Sequence, residues 1–247
     1  MIPARLNRTL LIRAFQIRYA NRCFAIGAML VTAMSSGPSM AHQAANGTAA
    51  SAATVTFTLD FPQSNPEHYS IAIDTSGNAR YECTGKVAQD SEEELYRARF
   101  QVSAGNRERI FSLARQARYF TGAIDSSKGN LAFTGAKVLS YQDGQRSNTA
   151  HYNYSNHAPV QQLTTLFQNM AATLEYGRRL AYYHRYQKLA LDDELKRMQT
   201  QARNDELSEI QSVGPVLQEI LDDASVINVV RARAKELIEM GNGATGH

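Results

Sequence analysis

Residues 176–188 hold the densest mixture of aromatic and basic side chains in the chain, YGRRLAYYHRYQK. We call this stretch the Tyr/Arg segment. Tyrosine rings and arginine guanidinium groups are both enriched at binding surfaces, and a guanidinium recognises carboxylate or phosphate groups. At helical spacing the candidate partner-binding residues form two neighbouring faces, with Arg178, Tyr182 and Arg185 on one and Arg179, Tyr183 and Tyr186 on the other. The pattern predicts a surface for an envelope protein or for an anionic ligand such as a phosphate, a glycan or a lipid head group.

A purely structural interpretation of the Tyr/Arg segment stays open at this point. Its tyrosines could pack on a second helical layer, and its arginines could form local ion pairs. Glu175, for example, lies four residues before Arg179, which is the spacing of a helical salt bridge.

Other side chains that could do chemistry are scattered. His151 and His157 lie six residues apart, but zinc takes three or four ligands and the spacing indicates no third. The acidic run 192–194 has Lys188 and Arg197 at i,i+4 spacing, which is typical of a solvated, ion-paired helix face. The sequence contains no Gly-x-Ser-x-Gly elbow, phosphate-binding glycine loop or His-Glu-x-x-His motif. It therefore predicts no catalytic residue, no metal and no cofactor.

A long helical stretch from Pro159 to about Arg203 must position the Tyr/Arg segment. Pro159 suits the first turn of a helix, where its missing N–H costs little. Apolar residues recur at three- and four-residue spacing before Gly177 and resume after it. They are Leu163, Leu166, Phe167, Met170 and Leu174, followed by Leu180, Tyr183, Leu189, Leu195 and Met198.

The region from 54 to 155 is rich in strand patterns. Apolar and polar residues alternate near 55–61, 69–73, 79–83 and 96–102, and each run predicts one buried and one solvated face. Turn residues at 74–78 and Asp143-Gly144 predict two hairpins. An amphipathic helix over 104–118, with Ser103 as its N-cap, interrupts the strands.

These elements predict an α+β fold: an antiparallel sheet of five or six strands covered by helices, followed by an all-helical C-terminal extension. In the extension, a short helix is expected over Leu207, Ile210 and Val213. Two more helices are expected after Gly214-Pro215 and after the break at 222–225, the last of them stopping at 241–243. These short helices need a partner surface. They either fold back on the same chain, which the turns favour, or pair two chains into a homodimer.

The N-terminus predicts export. Residues 1–22 contain five arginines and no acidic residue, an apolar stretch follows at 23–34, and Ser39 and Ala41 provide a small-x-small cleavage site. An uncleaved anchor is the alternative, although so short an apolar stretch hardly spans ~30 Å of hydrocarbon. The predicted organisation is a signal peptide at 1–41, a flexible tether at 42–53, an α+β domain at 54–176, a helical extension at 177–241 and a disordered tail at 242–247.

Removing the signal peptide changes the charge balance. The full chain has 26 basic and 23 acidic residues, and residues 1–41 include five of the basic ones, so the mature chain has 21 basic residues and a net charge of −2. This balance disfavours a nucleic-acid partner, and the mature chain is expected to have no transmembrane segment. Cys83 is its one cysteine, so no disulfide can form within it. Cys83 shares a strand face with Tyr81, which predicts a small core side chain, and a reactive or intermolecular thiol is the alternative.

One set of residues resembles a family of small secreted bacterial domains of unknown function. The set comprises Tyr69-Ser70, Ile73, Gly77, Tyr81-Glu82, Phe100-x-Val102-Ser103, Tyr119-Phe120 and Tyr141-x-Asp143-Gly144, within about 55–175. Members of that family often carry a cysteine pair just before the first hairpin, where this chain reads FPQSNP at 61–66. The resemblance implies a fold and an exported compartment, and it brings no catalytic residue.

The sequence as a whole predicts a periplasmic or extracellular protein that is a non-enzymatic interaction or structural module. The alternative is an exported hydrolase with a site between the sheet and the helical extension. A hydrolase predicts a deep pocket with convergent ionisable groups. A module predicts a shallow surface with exposed aromatic side chains.

Overall fold

The strands follow from period-two alternation, and the first strand shows the pattern most clearly. The computed structural model describes residues 52–62, 64–129 and 131–243. In β1 (Thr54–Asp60), Val55, Phe57 and Leu59 are buried, whereas the residues between them are partly exposed. The predicted signal peptide and most of the predicted tether and tail lie outside the described residues.

Six strands form one antiparallel sheet in the order β4-β3-β2-β1-β5-β6. The remaining strands are β2 (His68–Asp74), β3 (Asn78–Lys86), β4 (Glu93–Gln101), β5 (Ala136–Gln142) and β6 (Ser147–Tyr152). Strand β1 lies in the middle, and its Phe57 is opposite Ile71 on one side and Leu139 on the other. The prediction of five or six antiparallel strands is confirmed.

Aspartates close both predicted hairpins. Asp74 accepts hydrogen bonds from the backbone N–H groups of Ser76 and Asn78 at 2.8 and 3.0 Å, and Gly77 takes a φ of 85°. Asp143 accepts from the backbone N–H of Arg146 at 2.6 Å. These bonds use the short carboxylate as a substitute for a turn carbonyl, which is why such residues mark turns.

Helices cover one face of the sheet. The five α-helices are α1 (Ala104–Gln116), α2 (Ala158–Tyr186), α3 (Leu191–Arg203), α4 (Gly214–Asp222) and α5 (Asn228–Gly243). Ser103 caps α1 through its hydroxyl, as expected. The ring of Phe167 on α2 stacks on Phe57 of β1 at 5.4 Å, and both side chains are fully buried. Burying a side chain of this size stabilises the fold by about 1.5–3 kcal/mol.

The C-terminal helices pack within the same chain. Helices α3 and α5 lie against each other, α4 contacts both α2 and α5, and Leu195, Leu217 and Leu237 are fully buried between them. Helix α2 runs unbroken from the sheet into this layer, so residues 176 and 177, the predicted domain boundary, are consecutive residues of one helix. The final helix ends at Gly243, within the predicted stop at 241–243, and Gly241 is buried against the backbone of Gln211.

The predicted helix over Leu207–Val213 is only partly present. A four-residue 3₁₀ turn covers Ile210–Val213, and Glu209 before it has a left-handed φ of 62°. The Glu209 carboxylate is buried and accepts hydrogen bonds from Ser103 N–H at 2.9 Å and from the Asn106 amide at 2.7 Å. The anion lies at the positive N-terminal end of α1 and binds its N-cap residue. The left-handed backbone of Glu209 interrupts the regular helix that periodicity predicted.

Candidate functional site

The structure divides the Tyr/Arg segment into an inner and an outer part. In the inner part, Arg178 is 3% exposed at its side chain and Arg179 is 25% exposed. In the outer part, Tyr182 and Tyr183 are half-buried, and Arg185 and Tyr186 are exposed. The six predicted partner-binding residues therefore do not form one surface.

Arg178 belongs to a buried polar cluster between β3 and α2. Its guanidinium donates to the backbone carbonyl of Gly85 at 2.7 Å and lies 3.5 Å from the Glu175 carboxylate. Glu175 in turn accepts hydrogen bonds from the Tyr81 hydroxyl at 2.8 Å and the Cys83 thiol at 3.2 Å. A buried ion pair is retained only when such additional hydrogen bonds offset its desolvation. The cluster therefore attaches α2 to the sheet.

Burial sets the protonation of this cluster. Desolvation, followed by the nearby Glu175 charge, raises the pKa of the Cys83 thiol to about 12. The same two causes raise the pKa of Tyr81. Both groups stay protonated at neutral pH and act as donors to Glu175. Cys83 is fully buried, as predicted for a core side chain, and its hydrogen bond to a carboxylate is an addition to that prediction.

Arg179 forms a second, more open cluster with α3. Its Nε lies 2.5 Å from one oxygen of Glu194, and Arg197 lies 2.7 Å from the other oxygen. The Glu194 carboxylate is almost fully buried, and the Arg179 guanidinium stacks 4.7 Å from the centre of the Tyr176 ring. The Glu175–Arg179 pair that the structural interpretation allowed does not form, because Arg179 pairs with Glu194 on α3 and Glu175 lies beside Arg178.

The ion pairs expected around the acidic run at 192–194 are also different. Lys188 pairs with Asp223 at 2.5 Å rather than with Asp192, and Asp192 pairs with Arg233 on α5 at 2.8 Å. Arg197 does pair within α3, with Glu194 of the acidic run, whereas the pairs of Lys188 and Asp192 connect different elements.

The outer part of the segment lies beside the loop between α4 and α5. Helix α2 ends at Tyr186, and a 3₁₀ turn follows at Lys188–Ala190. Lys188 also donates to Ser225 at 2.6 Å, and the His184 ring contacts Asp223 at 2.9 Å. These bonds bring the turn at 188–190 next to the start of α5.

Four large apolar side chains are exposed at the end of α2, in the 3₁₀ turn after it and at residues 227–229, and we call these four the end patch. They are Tyr186 (63% exposed), Leu189 (98%), Ile227 (64%) and Val229 (49%). Periodicity placed Leu189 on the buried helix face, which is wrong because α2 ends before it. Sequence reasoning missed the end patch, since its residues come from the end of α2, the 3₁₀ turn after it and the start of α5 about forty positions later.

Concave surface near the segment is shallow and open. Two cavities of about 440 and 330 Å³ share Ser64, Asn65 and Arg179. Glu175 lines the smaller one, but Cys83 and Arg178 line neither. Within the described residues no three His, Cys, Asp or Glu side chains are grouped to hold a metal ion, and His151 and His157 are both exposed.

Comparison with known proteins does not assign the chain to a family. The chain matches no described protein family, and no curated protein is significantly similar to it. The resemblance to small secreted domains therefore stays a prediction. No helix in the described part of the chain has the length and apolar character needed to cross a bilayer.

Proposed function

We propose that this protein is exported by residues 1–41 and acts in the periplasm or outside the cell as a non-enzymatic interaction module. The observation that carries the proposal is the end patch. We infer that its side chains form one surface, because Lys188 joins the turn that contains Leu189 to the loop before Ile227. Contiguous exposed apolar side chains are typical of protein interfaces. Here Leu189 is held almost fully in solvent by a turn that Lys188 clamps to Asp223 and Ser225.

The end patch suits a protein partner with an apolar depression edged by carboxylates. Arg185 is exposed beside the patch and lies 5.4 Å from the centre of the Tyr186 ring. Among the described residues it forms no ion pair, so its charge is available to a partner. Tyrosine and arginine are both enriched among the residues that contribute most to interface energies. Arg178 and Arg179 are engaged inside the fold and contribute only by holding α2 in place.

The hydrolase alternative depends on the cluster between the sheet and α2. Cys83, Glu175 and Arg178 converge there, as an active site would require. However, the thiol is fully buried and its pKa is raised to about 12, so it is not a thiolate nucleophile at neutral pH. A thiol reagent should label native protein no faster than global unfolding permits. Rapid labelling of Cys83 in the native state would restore the hydrolase alternative.

The module proposal is tested by site-specific photo-crosslinking in the native cell. A photoreactive residue at Leu189 should capture a discrete protein, identified by mass spectrometry, whereas the same residue at exposed Leu131 should not. In a chain that instead has the photoreactive residue at exposed Ile227, the double variant Tyr186→Ser/Leu189→Ser should abolish capture, with Leu131→Ser as the matched control. Equal capture at both positions, or capture of lipid alone, would contradict a protein partner for the end patch.

Export is tested separately by the mass of the purified protein. Cleavage after Ala41 and recovery from the envelope or medium are expected. An intact N-terminus on cytosolic protein would contradict export without bearing on the end patch.

A further inference from the structure

Strand β4 ends the sheet, and its outer edge has no neighbouring strand among the described residues. On the helix-covered face, its Tyr96, Ala98 and Phe100 are only half-buried. Their opposite positions on β3 are fully buried or nearly so: Cys83, Tyr81 and Ala79. The helix layer thus stops short of β4. An edge strand with open hydrogen-bonding groups and incompletely covered apolar side chains is a template for another strand.

On the solvent face of the sheet, β4 and β3 place two positive charges opposite each other. Arg99 lies directly opposite Arg80 of β3, and like charges in that arrangement are destabilising. Among the described residues neither arginine forms an ion pair. In contrast, Arg97 lies opposite Glu82 and pairs with it at 2.6 Å. Asp74 lines the same surface as both arginines but pairs with neither, so a carboxylate from a partner could supply the missing ion pair.

We infer that β4 pairs with β4 of a second copy of this chain, in an antiparallel register centred on Tyr96. A two-fold axis perpendicular to the sheet relates the copies, since only that symmetry makes identical edge strands antiparallel. In this register Glu93 of each copy lies opposite Arg99 of the other. Leu95 lies opposite Arg97, and the two Tyr96 rings meet at the axis.

The strand's own charges select this register over its neighbours. A register centred on Arg97 places the two Arg97 side chains opposite each other. A register centred on Ala98 places Arg97 of each copy opposite Arg99 of the other copy. Centring on Leu95 pairs fewer residues of β4, which spans only Glu93–Gln101. The Tyr96 register is the longest one without opposed arginines, and it places a carboxylate beside Arg99. The two six-stranded sheets then become one continuous sheet with all helices on the same face.

Charge swapping tests the pairing on the chain expressed from its full 247-residue sequence. Glu93→Arg and Arg99→Glu each remove two charge pairs from the dimer, because the two-fold axis repeats every contact. Each variant should therefore weaken dimerisation about tenfold or more, measured by sedimentation equilibrium. The double swap Glu93→Arg/Arg99→Glu should restore it. Glu219→Arg, on an exposed position of α4, is the matched control and should change nothing.

Cysteine cross-linking tests the register. The variant Glu93→Cys/Arg99→Cys should form a covalent dimer on mild oxidation, because the two positions meet only between copies. They lie about 20 Å apart along one strand, too far for a disulfide within the chain. Glu93→Cys/Arg97→Cys, which requires the Leu95 register, should cross-link much less. A monomer at every concentration up to about 100 μM would overturn the inference. A dimer unaffected by the charge variants, as pairing through the C-terminal helices predicts, would overturn it too.

Discussion

The inner and outer parts of the Tyr/Arg segment have the same kinds of residue on one continuous helix but opposite environments. Arg178 in the inner part is enclosed by Glu175, Gly85 and Cys83 of the sheet–helix interface. Arg185 in the outer part, two turns later, is exposed and contacts a tyrosine ring. The difference shows that composition and spacing do not determine whether an arginine is buried or exposed. What decides is how far along α2 the residue lies relative to the end of β3.

The largest expected effect comes from breaking the inner part. Arg178→Leu leaves Glu175 buried without its cation, and the free energy of unfolding should fall by about 3–5 kcal/mol in urea denaturation. Arg185→Leu, the matched change in the outer part, should alter it by less than about 0.5 kcal/mol. The double variant Glu175→Gln/Arg178→Leu should recover most of the loss, because the amide oxygen still accepts from Tyr81. Equal effects of the two single changes would remove the distinction between the parts.

A smaller effect is expected from the close packing of the inner part on the helical extension. A Cβ added at Gly177 would overlap the side chain of Val213. Gly177→Ala should therefore destabilise the protein by about 1–3 kcal/mol, since overpacked helix contacts must separate. Adding Val213→Ala should relieve the overlap and raise the thermal midpoint above that of Gly177→Ala alone. If Gly177→Ala instead stabilises, as at a free helical position, the contact with Val213 is not tight.

The clamp below the end patch should depend on pH. Hydrogen bonds from Lys188, Ser225 and His184 hold the pKa of Asp223 well below its usual range. Because the folded pKa is lowered, the stabilisation is fully present above the unfolded value of about 3.9 and is lost as the pH falls below it. Thermal unfolding from pH 7 to pH 2 should show a smaller acid-induced loss for Asp223→Asn than for the natural chain. Parallel profiles would show that the clamp does not stabilise the fold.

The smallest effect on stability is expected at the end patch itself. Tyr186→Ser/Leu189→Ser removes mostly exposed surface, so the free energy of unfolding should change by no more than about 0.5 kcal/mol. Capture of the partner, by contrast, should be lost. A large loss of stability would mean that these side chains support the fold and would weaken the proposed interface.

The strands and hairpins were predictable because their signals are local. Alternation in β1 and aspartates at the turns act over a few residues, and the structure follows them closely. The pairing of charges was not predictable in the same way. Glu194 lies fifteen residues from Arg179, and the energy of a buried carboxylate outweighs the few tenths of a kcal/mol of an i,i+4 pair.

The sequence by itself determined the fold class, the hairpin positions and the covering of the sheet by α1 and α2, because apolar periodicity states which face each element must bury. Only the tertiary structure decided which arginines are enclosed and that Leu189 and the other side chains of the end patch are exposed. Those outcomes depend on where α2 passes the end of the sheet and on partners up to about a hundred residues away, such as Gly85 for Arg178. Burial at such contacts changes the energy of a charge far more than its neighbours in the chain do.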